Sequence, residues 1–444
     1  MSHKTPQLQS TETRPAPRRH RLRNALVALV LLLAVAAGAL VIASSLQDSA
    51  RTAQEARRPT APQTVTVTDR MADAPQQSLD PVEPVHVRLM MVGDILMHMG
   101  IIEGGARADG TRNYDHLFVP IASDVAEADV AVLNQETILG GTRWPYSGYP
   151  MFNSPQEVGD AEVAVGFDVI LKATNHTLDL GYDGVRAELS YWAQAHPQTA
   201  VIGMADPDGS HVAPAGGTSP GGAYLYEKDG FRIALLNYTD VLNGNIDPAF
   251  DGNVVAILTE EGLRADVKAA REQGQADLVV VFAHWGEEYE TTPVESERRW
   301  AQVMLDAGVD VVIGGHPHVI QPVEVLGDDS HRMLVCWSVG NFVSTQNGAA
   351  NMVGGMVKLD MVKDADGARL EAYEFVPTVT QHERGTTNMC AYKLSDYTDE
   401  LAARSGVSAV DGGRGSTKAW YVDFCAEVLG GSFDRDTLSV HGAM

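Results

Sequence analysis

Residues 276–286, ADLVVVFAHWG, form a short apolar run rich in β-branched residues that ends in polar side chains. Runs of this kind are typical of fully buried strands. Four other stretches share the form: HVRLMMVGD at 86–94, VAVLNQE at 130–136, FDVILKATNH at 167–176 and GVDVVIGGHPH at 308–318. Stretches with a helical pattern lie between several of them, around 182–197, 260–274 and 295–307. This alternation of strands and helices predicts an α/β fold.

The last third of the chain has a different pattern. MLVCWSVGNFVS (333–344), NMVGGMVKLDMV (351–362) and ARLEAYEFVPTV (368–379) are strand-like, with little helix between them. Consecutive strands of this kind indicate antiparallel pairing, or a second sheet packed on the first. The sequence assigns no structure to a C-terminal extension, residues 381–444, although its aromatic residues indicate that part of it packs.

The N-terminal region has the pattern of a membrane protein. Residues 1–24 carry six basic side chains and one acidic one, and the nineteen residues of 25–43 carry no charge. A helix of that length covers about the ~30 Å core of a bilayer. By the positive-inside rule we expect a cytoplasmic tail, a single-pass anchor at 25–43 in the cell membrane and an exported remainder. The alternative is a cleaved signal peptide, since small residues follow the run. Residues 44–84, rich in Gln, Thr, Ala and Pro, are predicted to be a flexible linker.

The composition excludes several classes of protein. Hydrophobic residues make up 44% of the chain, which supports a sizeable core. The net charge of −25 argues against nucleic acid as a partner. Three cysteines are too few for a disulfide scaffold or a cysteine-rich zinc module.

Polar side chains follow five of the predicted strands. They are Gly93-Asp94, Asn134-Gln135-Glu136, Asn175-His176 with Asp179, His284-Trp285-Gly286 and Gly315-His316-Pro317-His318. In α/β folds the ligand crevice lies at the carboxyl ends of the strands. Carboxylate, amide and imidazole groups together suit Mn, Fe or Zn better than Mg or Ca. Two such ions can support displacement at phosphorus and generate a hydroxide nucleophile.

Each cluster alone also has a purely structural explanation. A Gly-Asp pair is common in turns, Asn134 and Glu136 fit a helix cap, and His284 fits a hydrogen-bonded core position. The occurrence of all five at strand ends favours a site over five separate structural roles.

Six fragments resemble, in order, the motifs of the CapA family, the bacterial poly-γ-glutamate capsule synthesis proteins. They are VGDILMHMG, LNQET, ATNHTLDLGYDG, VVVFAHWGEEY, DAGVDVVIGGHPHVIQPVE and WSVGNFVS, and the resemblance covers roughly residues 85–378. That family is similar in turn to the calcineurin-like metallophosphoesterases. The resemblance implies a two-sheet αββα sandwich over residues 85–380 with a dimetal centre at the strand ends. An N-terminal membrane anchor also suits the family.

The resemblance further implies roles for individual residues. Asp94 matches the first metal-binding aspartate, and Glu136 stands where the phosphoesterases have a bridging aspartate. Asn175, His284, His316 and His318 match the remaining metal ligands. His176 matches the histidine that contacts phosphate or acts as general acid. Asp179, three residues on, would orient His176 if a helix begins there.

The chain also departs from the phosphoesterase pattern. Their Asp-x-His motif becomes Asp94-Ile95-Leu96, so one ligand is missing, and whether His98 replaces it stays open. The bridging aspartate has become the longer Glu136. Either one or two divalent transition-metal ions (Mn, Fe or Zn) are therefore consistent with the sequence.

Three functional hypotheses follow. The first is an extracytoplasmic metal-dependent hydrolase of capsule or surface-polymer synthesis, acting on a phosphoester or an amide, with His176 protonating the leaving group. The second is a non-catalytic factor that holds an anionic capsule polymer beside a membrane synthase. The third is an α/β domain without a retained site.

Overall fold

A computed structural model of the protein describes residues 83–206, 222–244, 253–346, 348–383, 389–406 and 417–444. The strands are β1 (Val85–Ile95), β2 (Val130–Asn134), β3 (Val169–Leu171), β4 (Ala200–Ile202), β5 (Tyr224–Lys228), β6 (Phe231–Thr239), β7 (Leu278–His284), β8 (Val311–Gly315), β9 (Val323–Asp328), β10 (His331–Cys336), β11 (Asn341–Val343), β12 (Val353–Asp364), β13 (Gly367–His382), β14 (Met389–Lys393), β15 (Phe433–Asp434) and β16 (Ser439–Ala443). The helices are α1 (Met99–Gly104), α2 (Ala122–Ala126), α3 (Glu157–Val165), α4 (Gly181–Ala195), α5 (Glu260–Glu272), α6 (Glu295–Ala307), α7 (Asp399–Arg404) and α8 (Lys418–Leu429).

The strands form two sheets. The ten-stranded sheet has the order β15-β16-β13-β12-β1-β2-β3-β4, with β11 beside β1 and β14 beside β13. The six-stranded sheet has the order β5-β6-β7-β8-β10-β9. Pairing is parallel from β1 to β4 and from β6 through β8 to β10, and the late strands β12, β13, β14 and β16 pair antiparallel. The predicted α/β fold with two sheets is confirmed.

Alternate residues of the central strands point into two apolar clusters. In β1, Leu89 and Met91 join residues such as Phe282 of β7 and Ile313 of β8, so the two sheets pack face to face. The other face of β1, including Met90, belongs to a cluster that contains the inner faces of the helices. This period of two is why the runs are apolar throughout: a strand covered on both faces has no polar side.

The C-terminal region is part of the larger sheet. Within residues 381–444, β14 pairs with β13 at Gln381↔Cys390, and β16 pairs with β13 at Phe375↔Val440. Tyr421 and Cys425 of α8 are buried in the cluster between the sheets. The residues that the sequence left unassigned therefore extend the sheet through pairings that are distant along the chain.

The predicted N-terminal segments, residues 1–24, 25–43 and most of 44–84, lie outside the described residues. Among the helices that are described, none has both the length and the apolar character needed to cross a bilayer.

Glu162 of α3 is fully buried, and its carboxylate oxygens have no hydrogen-bond partner in the described residues. Burial raises its pKa from 4.5 to about 8. The folded state therefore holds a proton that the unfolded state has released, so stability falls as the pH rises through this window. We expect Glu162 to lower the free energy of unfolding by up to about 1.4 kcal/mol per pH unit between these two values.

The Glu162→Gln protein should lack this component and be more stable than the wild type above pH 8. Urea unfolding at intervals from pH 5 to pH 9 measures the difference. Glu157→Gln, a partly exposed position on the same helix, is the matched control. Equal slopes in the wild type and Glu162→Gln would contradict the prediction.

Candidate metal centre

Three buried side chains from different strand ends converge at the edge of the two sheets. They are Asp94 of β1, Glu136 just after β2, and His318 just after β8, and one ligand atom of each lies within 4.8 Å of the others. His318 Nδ1 is 3.5 Å from Asp94 Oδ2, and His318 Nε2 is 3.8 Å from Glu136 Oε1. This arrangement is the size of a single ion's coordination shell.

A second group adjoins the first through Glu136. The same oxygen, Oε1, lies 3.9 Å from His284 Nε2. That nitrogen is 2.9 Å from Asn175 Oδ1, and the rings of His284 and His316 have centroids 4.8 Å apart. The structure thus brings together all six residues predicted as ligands, with Glu136 between the two groups.

The residues present fit a divalent transition metal. Both carboxylate oxygens of Glu136 and Nδ1 of His316 are buried without a hydrogen-bond partner in the part of the chain that the structure describes. A buried polar group left unpaired costs about 1–3 kcal/mol. Mixed carboxylate and imidazole donors suit Mn, Fe or Zn. A bound ion would supply the missing partners.

Charged neighbours set the direction of the pKa shift at Asp94 and His318, and burial sets it at Glu136, His284 and His316. Burial alone would raise the pKa of Asp94. The effects of His318 and His284 are larger than that of burial, and the pKa is lowered to about 2. Burial alone would lower the pKa of His318. The effects of Glu136 and Asp94 are larger than that of burial, and the pKa is raised to about 9. Burial raises the pKa of Glu136 well above its ordinary value, although His318 opposes the shift.

The pKa values of the two other histidines are lowered, whereas that of His318 is raised. Burial lowers the pKa of His316 to about 3, and burial with repulsion from His316 lowers the pKa of His284 well below its ordinary value. Both imidazoles are therefore neutral at pH 7. Neutral imidazole is the form that binds metal.

Asn134, the last residue of β2, connects the two groups. Its Nδ2 donates to Asp94 Oδ1 at 2.7 Å and lies 3.3 Å from His284 Nδ1. The sequence placed Asn134 in a strand-end cluster but gave it no role. The available signal was its position at the end of a strand beside β1, which does not by itself set the direction of its side chain.

The backbone around the histidine pair is strained. The backbone φ angle is 95° at His316 and 58° at His318, values that residues other than glycine rarely adopt. Such strain persists where surrounding contacts enforce it, and it concentrates at functional sites. The backbone N–H of His316 donates to Asp94 Oδ2 at 3.0 Å, which fixes this loop against β1. A Cβ at Gly315 would meet Asp94 Oδ1 at 2.7 Å, so this approach requires glycine.

His176 and Asp179 form a buried pair beside the ligands. His176 Nδ1 lies 2.7 Å from Asp179 Oδ2, which also accepts the N–H of Phe152 at 2.7 Å. The carboxylate is the acceptor for a proton on Nδ1, so Nε2 is the ring nitrogen that is not engaged by Asp179. The predicted contact forms, but in a turn that precedes α4, which begins at Gly181.

His98 lies apart from the three-residue group. Its Nδ1 accepts the N–H of Thr345 at 3.4 Å, and its ring is 5.3 Å from that of Phe152. Burial lowers its pKa to about 4.

A cleft of about 340 Å³ opens beside His176. Its walls come from three surface segments and from the turn that carries the His176–Asp179 pair. The residues that line it are Tyr149, Pro150, Met151, Asn175, His176, Leu178, Asp179, Leu242, Asn243, Gly244 and Glu288.

Two packed sheets with a buried group of carboxylates and imidazoles at their strand ends define an α/β protein with a candidate metal centre. The family model for "Bacterial capsule synthesis protein PGA_cap" matches residues 88–346, more than half of the chain. The chain belongs to this family, which confirms the predicted relationship.

Two curated relatives come from Bacillus. The PGA biosynthesis protein CapA of Bacillus subtilis is 29% identical over 204 residues, which are 46% of this chain and 49% of the relative. The capsule biosynthesis protein CapA of Bacillus anthracis is 28% identical over 291 residues, 61% of this chain and 64% of the relative. The chain thus spans 49% and 64% of the length of these two relatives.

Two enzymes are among the solved structures to which this chain is similar. A phosphatase from Mycoplasma pneumoniae has a TM-score of 0.40 and 10% identity, covering 67% of this chain and 95% of its own. The NAD nucleotidase of Haemophilus influenzae has a TM-score of 0.41 and 13% identity, covering 67% of this chain and 56% of its own.

Proposed function

We propose that the protein is a metal-dependent hydrolase of capsule or surface-polymer synthesis, anchored in the membrane by residues 25–43, with its folded domain outside the cytoplasm. The observation that carries the proposal is the unpaired, buried carboxylate of Glu136 between two groups of ligands. Asp94, Glu136 and His318 would hold one divalent ion. Glu136, Asn175, His284 and His316 would hold a second.

Bound ions would supply Lewis acidity and lower the pKa of water in the site. The protein's own contribution is to orient the groups and to move a proton. In the imidazolium form of His176, Nδ1–H donates to Asp179 and Nε2–H is the proton that passes to the leaving group, which leaves the neutral imidazole with its proton on Nδ1. The cleft beside His176 gives a substrate access to this side of the centre.

The setting in surface-polymer synthesis is supported by family membership and by the names of the two Bacillus relatives. In this setting, the partners that we propose are a membrane synthase and its anionic polymer. The loss of the Asp-x-His motif at Asp94-Ile95-Leu96 favours the alternative, in which the same domain binds and guides the polymer without cleaving it.

His176→Asn should lower kcat about a hundredfold while leaving the metal content unchanged, because the general acid is lost and the proposed ligands stay. The full chain, loaded with Mn, Fe or Zn, is assayed with β-glycerophosphate, a dialkyl phosphate diester and a panel of alkyl amides, whose leaving groups must take up a proton. Metal is counted by elemental analysis of the same samples. His196→Asn is the matched control, since His196 Nε2 lies 2.7 Å from Asp160 Oδ1 in a similar pair on the surface. Absence of turnover by the metal-loaded wild type on every probe would overturn the hydrolase proposal and favour polymer binding.

A further inference from the structure

The cleft beside the metal centre has an apolar and aromatic rim. Tyr149 is 77% exposed and Met151 is 58% exposed, and both line the cleft. Tyr289 is 54% exposed, and its ring centroid lies 6.2 Å from that of His318. Large apolar side chains are seldom this exposed as a group unless they contact a partner or ligand.

The charge of the cleft is acidic. Its lining contains two carboxylates, Asp179 and Glu288, and no lysine or arginine among the described residues. Asp179 is already occupied by His176 and by the N–H of Phe152. Glu288 is exposed, and the hydroxyl of Tyr289 hydrogen-bonds to its carboxylate. Its charge also acts on the nearby imidazole of His318. Glu288 is therefore the exposed carboxylate of the cleft, and Tyr289 lies against it.

This combination selects for a cation. Beyond the reach of the candidate metal ligands, a ligand with several phosphates or carboxylates would need lysine or arginine partners, and the described lining of the cleft offers none. An ammonium group is attracted both by a carboxylate and by the faces of tyrosine rings. We propose that the cleft takes a substrate that carries an ammonium group beside the bond placed at the metal centre, with Glu288, Tyr149 and Tyr289 receiving that group. The proposal rests on the hydrolase function for the identity of the bond, but its ammonium subsite is a binding property that can be measured separately.

The test compares probes that differ mainly in charge. Choline and its uncharged isostere, 3,3-dimethylbutan-1-ol, are titrated into the metal-loaded full chain by calorimetry, with tri-γ-glutamate as an anionic probe. Choline should bind more tightly than the other two. Glu288→Gln should weaken choline binding about three- to fivefold, the effect of one exposed charge pair, and Tyr149→Leu should weaken it about twofold.

The control is Glu287→Gln, since Glu287 is an exposed carboxylate of the same loop that does not line the cleft. It should bind choline as the wild type does. Equal affinity for choline and the alcohol, an equal loss in both loop variants, or preferred binding of tri-γ-glutamate would each overturn the proposal. Metal content and hydrolysis are measured on the same samples. Glu288-dependent choline binding without any turnover would refute the hydrolase but not the ammonium subsite.

Discussion

Glu136→Gln should lose more than about a hundredfold in metal affinity, more than is typical of changes to residues that only support a ligand. The reason is geometric. A single oxygen of Glu136 lies 3.8 Å from His318 Nε2 and 3.9 Å from His284 Nε2, so this carboxylate serves both groups of ligands. Glutamine has the same shape but no negative charge to offset two dications. Hydrolysis should fall with metal occupancy, and both are measured on one preparation, by metal titration and by turnover.

Stability separates this result from misfolding. In the presence of a chelator, Glu136→Gln should unfold cooperatively and stay within about 1–3 kcal/mol of the wild type, because the amide replaces one buried polar group without a hydrogen-bond partner by another. Glu162→Gln is the control, since Glu162 is an equally buried carboxylate that lies outside the three-residue group. Full metal binding by Glu136→Gln would refute the assignment of Glu136 as the shared ligand.

The convergence of the candidate ligands was predictable because parallel strands deliver their carboxyl ends to one edge. Asp94, His284 and the His316–His318 pair each follow an apolar run whose length and composition identify a strand. Once those runs lie in adjacent positions, their terminal residues must be neighbours. The proline between the two histidines and the glycines before them mark the same loop in the sequence.

The supporting residues were not predictable in the same way. Asn134 acts through the direction of its side chain toward Asp94 and His284, which are 40 and 150 residues away. Likewise, the pairing of β16 with β13 joins chain segments far apart, and neither strand specifies its partner by composition. The contact of Asp179 with His176 was predictable, but the element that makes it was not, because a turn and a helix both bring residues i and i+3 together.

Lys172 is the supporting residue with the largest expected effect. It is a fully buried lysine just after β3, and its Nζ donates to the carbonyl oxygens of Gln135 at 2.7 Å and Thr137 at 3.1 Å. Those two residues flank Glu136 in the chain. The third interaction of Nζ is an ion pair with Glu188 at 3.2 Å. Since Glu136 has no side-chain hydrogen bond in the described residues, its position depends on its backbone. Lys172 holds that backbone on both sides of Glu136, and Thr174 Oγ1 donates to the carbonyl oxygen of Glu136 itself at 2.8 Å.

Lys172→Met should therefore lower the free energy of unfolding by about 3–5 kcal/mol, because it leaves Glu188 as an uncompensated buried charge. It should also weaken metal binding about 10–100-fold, the range found when a residue that orients a ligand is lost. Urea unfolding and metal titration measure the two effects. Lys358→Met is the control, since Lys358 Nζ forms a 2.7 Å ion pair with Asp124 and is not bonded to the Glu136 loop.

A double variant separates the two roles of Lys172. Adding Glu188→Gln to Lys172→Met removes the buried charge and should restore part of the stability. It should not restore metal affinity, because the carbonyl groups of Gln135 and Thr137 still lack their donor. Recovery of both properties would show that Lys172 only neutralises Glu188. Recovery of stability alone identifies Lys172 as the residue that positions Glu136 through the backbone on either side of it.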